Sequence, residues 1–217
     1  MAANSERVKR KVVWGSGIVI TVALSALSLG GCGDAVRQGR GPAYLVLMGL
    51  TGASGATPDQ FGNTVSSDVL TLVEAGGTRV PTVFEDLGRA ELRVEMKDVG
   101  LPGQPNAPSP NNLITVTRYR VTFSRADGRN TPGVDVPHPF DGAASLTVTG
   151  AATTLGFVLV RVQAKDEPPL RALIGNGGAG VISTIADVTL YGTDQAGNAV
   201  SVAGRISVNF ADWGDPQ

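Results

Sequence analysis

The chain of 217 residues contains one cysteine, Cys32, and one histidine, His138. A lone cysteine closes no intrachain disulfide and supplies neither a cysteine zinc cluster nor a redox pair. A lone histidine must serve in any Ser-His-Asp arrangement, and here Pro137 and Pro139 flank it, which places it in a stiff exposed turn. No Gly-x-Ser-x-Gly elbow supplies the nucleophile side. Aromatic residues make up 5% and charged residues 17% of the chain. Four of its 18 basic residues (Arg7, Lys9, Arg10, Lys11) and one of its 19 acidic residues (Glu6) precede Cys32, so the remainder has a net charge of −4. A mildly acidic segment without a basic cluster has no electrostatic footprint for a phosphate backbone, which argues against nucleic acid as a partner.

What is abundant is turn chemistry: 29 glycines and 13 prolines beside a 42% hydrophobic content. That mixture favours many short elements over long helices. Residues 32–217 are 186 residues, enough for one ordinary domain with its own core.

The first 31 residues are organised differently. The positive cluster Arg7 to Lys11 is followed by the uncharged run Val12 to Leu29 and then by Leu29-Gly30-Gly31-Cys32. This is the layout of a helical secretory signal. The last four positions resemble the lipobox of bacterial lipoproteins, with a Leu three places before the cysteine and small residues between. The resemblance implies a diacylglyceryl group on the Cys32 thiol, cleavage before Cys32 and usually acylation of the new amino terminus; separately, no cofactor is expected. Two or three acyl chains hold a protein stably on a membrane where one does not. An uncleaved helical anchor is the other reading of the same run, since eighteen helical residues span roughly 27 Å. Both readings keep the basic end in the cytoplasm and place the rest beyond the membrane. Gly33 and Asp34 leave open which bacterial membrane is used. The expected organisation is a signal peptide over 1–31, a lipidated Cys32 with a Gly-rich tether to residue 43, and a folded domain over 44–217.

Within that domain the clearest signal is Arg89 to Lys97. Ala90, Leu92, Val94 and Met96 alternate with Arg89, Glu91, Arg93, Glu95 and Lys97, the period of two of a half-buried strand. Further strands are expected over Tyr44 to Leu50, Asp68 to Glu74, Leu113 to Ser124, Ser145 to Thr149, Leu155 to Ala164, Val181 to Tyr191 and Ala199 to Phe210, with no helix among them. In Leu113 to Ser124 the apolar side switches near Arg118, from Ile114 and Val116 to Tyr119, Val121 and Phe123, which predicts a β-bulge or a change of sheet there. The loops Val99 to Asn112, Arg125 to Gly142 and Asp166 to Gly180 are long and turn-rich. Asp194-Gln195-Ala196-Gly197-Asn198 predicts a tight hairpin between the last two strands. That stretch resembles the final hairpin of bacterial immunoglobulin-like and fibronectin-type repeats. The resemblance covers about the last 35 residues and implies an all-β, immunoglobulin-like antiparallel β-sandwich of about eight strands with long loops. The chain departs from that family in having no cysteine pair and no Trp in a central strand. Tyr191, at the end of an expected strand, marks no tyrosine corner, and the domain exceeds the usual ~100 residues.

Candidate chemistry is sparse. Glu85, Asp86, Asp166 and Glu167 are carboxylates of the type that performs acid/base work in glycosidases, and equally are solvated turn charges. Asp127, Asp135 and Asp141 share one loop and are candidate calcium ligands, as are Asp194, Asp212 and Asp215 near the C-terminus, although no EF-hand spacing is present. The cluster Gly175 to Gly180 lacks the Gly-Lys-Ser/Thr of a phosphate loop and reads as a connection. His138, Phe140 and Trp213 are candidates for a ligand surface, the two aromatics because they fall outside the expected strands; the favoured reading of those two is that each caps an end of the core. The leading expectation is a non-enzymatic, membrane-anchored envelope lipoprotein whose sandwich binds or scaffolds an envelope protein or glycan. A calcium-dependent or carbohydrate-binding module and an envelope hydrolase are the alternatives.

Overall fold

The computed structural model describes residues 41–214, which lie within one compact unit spanning 37–217. The strand signalled by alternation is β5 (Asp86–Met96). Ala90, Leu92 and Val94 are buried, while Arg89 and Glu91 point to solvent. It is the middle strand of a three-stranded antiparallel sheet, between β1 (Ala43–Ala53) and β10 (Thr153–Val160). The second sheet has five strands in the order β2 (Thr64–Asp68), β12 (Ala199–Ala211), β11 (Ile182–Asp194), β8 (Ile114–Ser124) and β9 (Phe140–Val148). All its pairs are antiparallel except β2 with β12. One hydrophobic core draws on both sheets, with Leu92, Val94 and Leu159 from the first and Val121, Leu190 and Phe210 from the second. The described residues are therefore all-β and sandwich-like.

The period switch in β8 is a bulge. Register shifts between Val116 and Arg118 against β9, and opposite the same point in β11. Against β11 the extra residue is Thr117, and against β9 it lies in β9, between Ala143 and Leu146. Because of Thr117, Ile114 and Val116 on one side and Tyr119, Val121 and Phe123 on the other all face the core.

The hairpin Asp194 to Asn198 is built as its residues require. The Asp194 carboxylate accepts from the backbone N–H of Ala196 at 3.0 Å, and from the N–H and Nδ2 of Asn198 at 2.8 Å each. Gly197 takes φ of 82°, the left-handed conformation a glycine adopts without strain. Burial pushes the Asp194 carboxyl up, but these donors outweigh it and hold it below the ordinary 3.8.

Several expectations need correction. The expected strand over Asp68 to Glu74 divides into β2 and a separate β3 (Thr71–Ala75), which pairs with β4 (Thr78–Thr82) across Gly76 and Gly77, at φ of 60° and 81°. Positive φ at both turn positions is the type I′ geometry. This hairpin is largely exposed on both faces, so its sequence carries no alternation. A smaller hairpin joins β6 (Gly100–Leu101) to β7 (Gln104–Pro105) within the proline-rich loop. The strand over Leu155 to Ala164 ends at Val160, and a short helix, α1 (Val162–Asp166), follows. The strand expected over Ser145 to Thr149 begins earlier, at Phe140, because Gly142 and Ala144 occupy inward positions without an apolar signature. Tyr191 is not at a strand end, since β11 continues to Asp194, and the folded part begins at or before Ala43, which is already buried.

Leu92 is fully buried, so Leu92→Ala is expected to cost about 2–5 kcal/mol in urea unfolding. Asp194→Ala removes three charge-assisted bonds and is expected to cost about 1–3 kcal/mol at pH 7. Because the folded-state pKa of Asp194 is depressed, its contribution is present above 3.8 and is lost as pH falls through the folded value. Unfolding curves of wild type and Asp194→Ala should therefore converge in acid.

Candidate functional site

The bulge at Thr117 determines what happens at the seam where the edge strands β9 and β10 face each other. It turns Tyr119 inward, between Phe140 at 6.2 Å in edge-to-face contact and Phe157 at 5.2 Å. The Tyr119 hydroxyl accepts the backbone N–H of Val158 at 3.2 Å, a hydrogen bond from one sheet to the other. Burial pushes the Tyr119 phenol up from its ordinary value of 10.0, which keeps it neutral. Two glycines make room for the rings. A Cβ on Gly142 would strike Tyr119, and one on Gly88 would strike the ring of Phe157.

A recess opens on each side of Tyr119. The larger, about 480 Å³, is lined by Phe61, Gly88, Arg89, Gly156 and Phe157, and the Arg89 guanidinium lies 3.7 Å above the Phe61 ring. The smaller, about 270 Å³, is lined by Glu85, Phe140, Asp141, Arg161 and Gln163. Arg161 sits 4.4 Å over the Phe140 ring, and its Nε has no hydrogen-bond partner.

Immediately behind the smaller recess lies a buried ion pair. Asp86 at the start of β5 is 0% exposed and Lys165 in α1 is 1% exposed, with Nζ 2.8 Å from Oδ1. The same oxygen accepts the N–H of Gly55 at 2.9 Å, while Oδ2 has no partner. The pair fastens α1 and the 54–55 turn to the first sheet.

The structure separates most of the residues that sequence reasoning grouped. Of the four candidate acid/base carboxylates, Asp86 is locked in that ion pair, Glu85 lines the smaller recess, Asp166 is exposed and Glu167 is half-buried. The three loop aspartates do not converge. Asp127 is bonded to Arg125 and Arg129, Asp135 accepts the N–H of Thr131 at 3.1 Å, and Asp141 bridges Arg118 at 2.7 Å and Arg120 at 2.8 Å. The Arg125 hydrogen bond, with further donors from Arg129, lowers Asp127 to about 2. Among the described residues no three His, Cys, Asp or Glu side chains are grouped to hold a metal ion. Asp194 is absorbed by its hairpin, and Asp212 accepts the N–H of Gly175 at 2.6 Å, tying the glycine-rich connection down. Cys32 and Asp215 lie outside the described residues.

His138 is exposed, its imidazole packed on Gly133. Phe140, a ligand-surface candidate because it falls outside the expected strands, is not exposed. It opens β9 and is 6% exposed, because Tyr119 and Arg161 cover it. Trp213 is half-buried and held at both nitrogens, its backbone N–H to Asp68 and its indole Nε1 to the carbonyl of Ser67, each at 3.1 Å. It therefore seals the end of the core beside β2.

Sequence reasoning missed Phe61, Arg89, Tyr119, Phe157 and Arg161 as a group. Tyr119 alone had a signal, the period switch that precedes it; Phe61, Arg89 and Phe157 come together from a loop and two neighbouring strands of the first sheet, and Arg161 meets Phe140 across the seam. The chain matches no protein family, no curated protein and no solved structure. Among the described residues no helix is long and apolar enough to cross a membrane.

Removing one partner of a buried pair leaves an uncompensated charge, so Lys165→Met is expected to destabilise the domain by about 3–5 kcal/mol. Combining it with Asp86→Leu should recover most of that loss in the same denaturation assay. In the calcium-candidate loop, carbon-detected NMR should show Asp127 titrating at about 2, and Arg125→Ala should move the midpoint up toward 3.8.

Proposed function

We propose that this is a bacterial envelope lipoprotein, anchored through Cys32 on the non-cytoplasmic side of a membrane. Its sandwich acts as a non-enzymatic binding or scaffolding module for an envelope protein or glycan. The anchor rests on the basic cluster, the uncharged run and the Leu29-Gly30-Gly31-Cys32 motif. The binding role rests on one observation, the pair of recesses flanking Tyr119, held open by a cross-sheet hydrogen bond and by glycines under two aromatic rings. A rigid frame with a shaped, mostly apolar hollow recognises a partner with little ordering cost. The carboxylate with the most restricted environment, Asp86, is already neutralised by Lys165, which leaves it poorly suited to proton transfer.

An immunoglobulin-like type is the finer reading of the sandwich. It is supported by strand order: β1, β5 and β10 correspond to strands A, B and E, and β12, β11, β8 and β9 to G, F, C and C′, with β2 as a short strand parallel to G.

Two measurements test the proposal. Labelled palmitate should enter the wild-type chain and sediment with membranes, and Cys32→Ala should abolish both; label retained by that variant refutes the anchor. Gly156 has no atom within 4 Å of where its Cβ would stand, so Gly156→Trp should fill the larger recess without disturbing the core. The lipidated chain purified from detergent-solubilised envelopes should bring down a protein or glycan that this variant loses. Equal recovery by both, or recovery of nothing, refutes a binding role for the recess.

A further inference from the structure

The two ends of the sandwich differ in charge. One end is formed by the connection from β5 to β8, the turn between β9 and β10, and the hairpin turn between β11 and β12. The chain enters the domain at this end. Pro42 accepts the N–H of Lys97 at 3.0 Å, and Gly41 lies against Asp194 and Asn198 of the hairpin turn. The three loops adjoin one another, since Val94 donates to the carbonyl of Thr149 at 2.8 Å and Gly150 packs on Pro108. Across residues 98–113, 149–152 and 194–198 the only charged side chains are Asp98, whose carboxylate is occupied by the N–H of Gly100 at 3.0 Å, and Asp194, whose carboxylate is occupied by Ala196 and Asn198. The opposite end carries Glu85, Arg125, Asp127, Arg129, Asp166 and Arg171 in its loops.

The charge-poor end carries the two most exposed large apolar side chains. Val99 is 75% exposed and Leu101 72%, both on the β6–β7 hairpin, and Tyr44 beside the entry point is 55% exposed. The hairpin is built to hold them out: Gly100 and Gly103 take φ of 78° and 86°, and Asn106 returns a backbone hydrogen bond to Val99 at 3.1 Å. Ordered apolar side chains on a rigid tip, next to uncharged loops, match the chemistry of a lipid interface, where apolar groups enter the boundary and polar amides stay at the headgroups. Lys97, over the Tyr44 ring at 5.1 Å, puts a cation at the same level.

From this geometry we propose that the β6–β7 tip, through Val99 and Leu101, inserts into the surface of the lipid bilayer and sets the orientation of the sandwich upon it. The inference rests on the lipid-anchor reading. Only nine residue steps separate Cys32 from Gly41, a reach of at most roughly 30 Å, and they arrive at the end that carries the tip. The occupant of this apolar surface is thus the membrane to which the chain is tied. The seam with its two recesses then runs up the side of the sandwich, and the charged end faces away from the bilayer.

The test uses the full lipidated chain in vesicles of phosphatidylethanolamine and phosphatidylglycerol. Leu101→Cys, and Val134→Cys at the opposite end, each receive an environment-sensitive fluorophore; both native positions are exposed, at 72% and 65%. With Cys32 acylated, the wild type takes up no label and each variant takes up one. The expected result is a blue-shifted emission at position 101 that is quenched by lipid-borne quenchers, and unshifted, water-accessible emission at position 134. A blocked Cys32 with equal water access at both positions overturns the orientation and leaves the anchor standing. A Cys32 that itself accepts label overturns the anchor, and the orientation with it.

Discussion

A strand fixes the direction of each side chain by its period of two, and β8 violates that period once. Everything at the seam follows from the violation. Without the extra residue at Thr117, either Ile114 and Val116 or Tyr119, Val121 and Phe123 would face water, because a shift of one residue exchanges the two faces. The bulge lets both sets enter one core from a strand at the heart of the larger sheet. It also aims Tyr119 at the other sheet, where its hydroxyl meets the N–H of Val158 and its ring packs against Phe140 and Phe157. The glycines at 88 and 142 are consequences of the same event, as the only residues that leave space for those rings.

With no disulfide available, the sandwich is held by packing and by a few interior polar contacts. The Asp86–Lys165 pair has the highest stakes among them. Desolvating two charges is expensive, and the pair is worth having because each partner offsets the other and because it fixes where β5 begins and where α1 turns. The remaining acids of the charged end follow a different rule. Asp127 and Asp141 are each shared between two arginines at the surface, which consumes the oxygens a divalent cation would need.

These arrangements divide the molecule by surface chemistry. Charged loop residues gather at the end remote from chain entry, the two most exposed apolar side chains stand at the entry end, and both recesses flank Tyr119, the smaller reaching Glu85 of the charged end.

The sequence by itself determined whatever depends on neighbours along the chain. The alternation in Arg89 to Lys97, the switch at Arg118 and the Asp194 to Asn198 turn are local patterns, and each maps onto a strand, a bulge and a hairpin of the structure. The Leu29-Gly30-Gly31-Cys32 motif is local too, and its resemblance to a lipobox is read without a fold. Tertiary structure alone decided what depends on residues far apart. Asp86 and Lys165 are 79 positions apart and Tyr119 and Val158 are 39 apart, so neither contact leaves a mark in either segment. Phe140 passes for a loop aromatic until β8 lies beside it, and the β3–β4 hairpin buries no face and so shows no period. The recesses are gaps between two sheets, and a gap has no residue of its own to announce it.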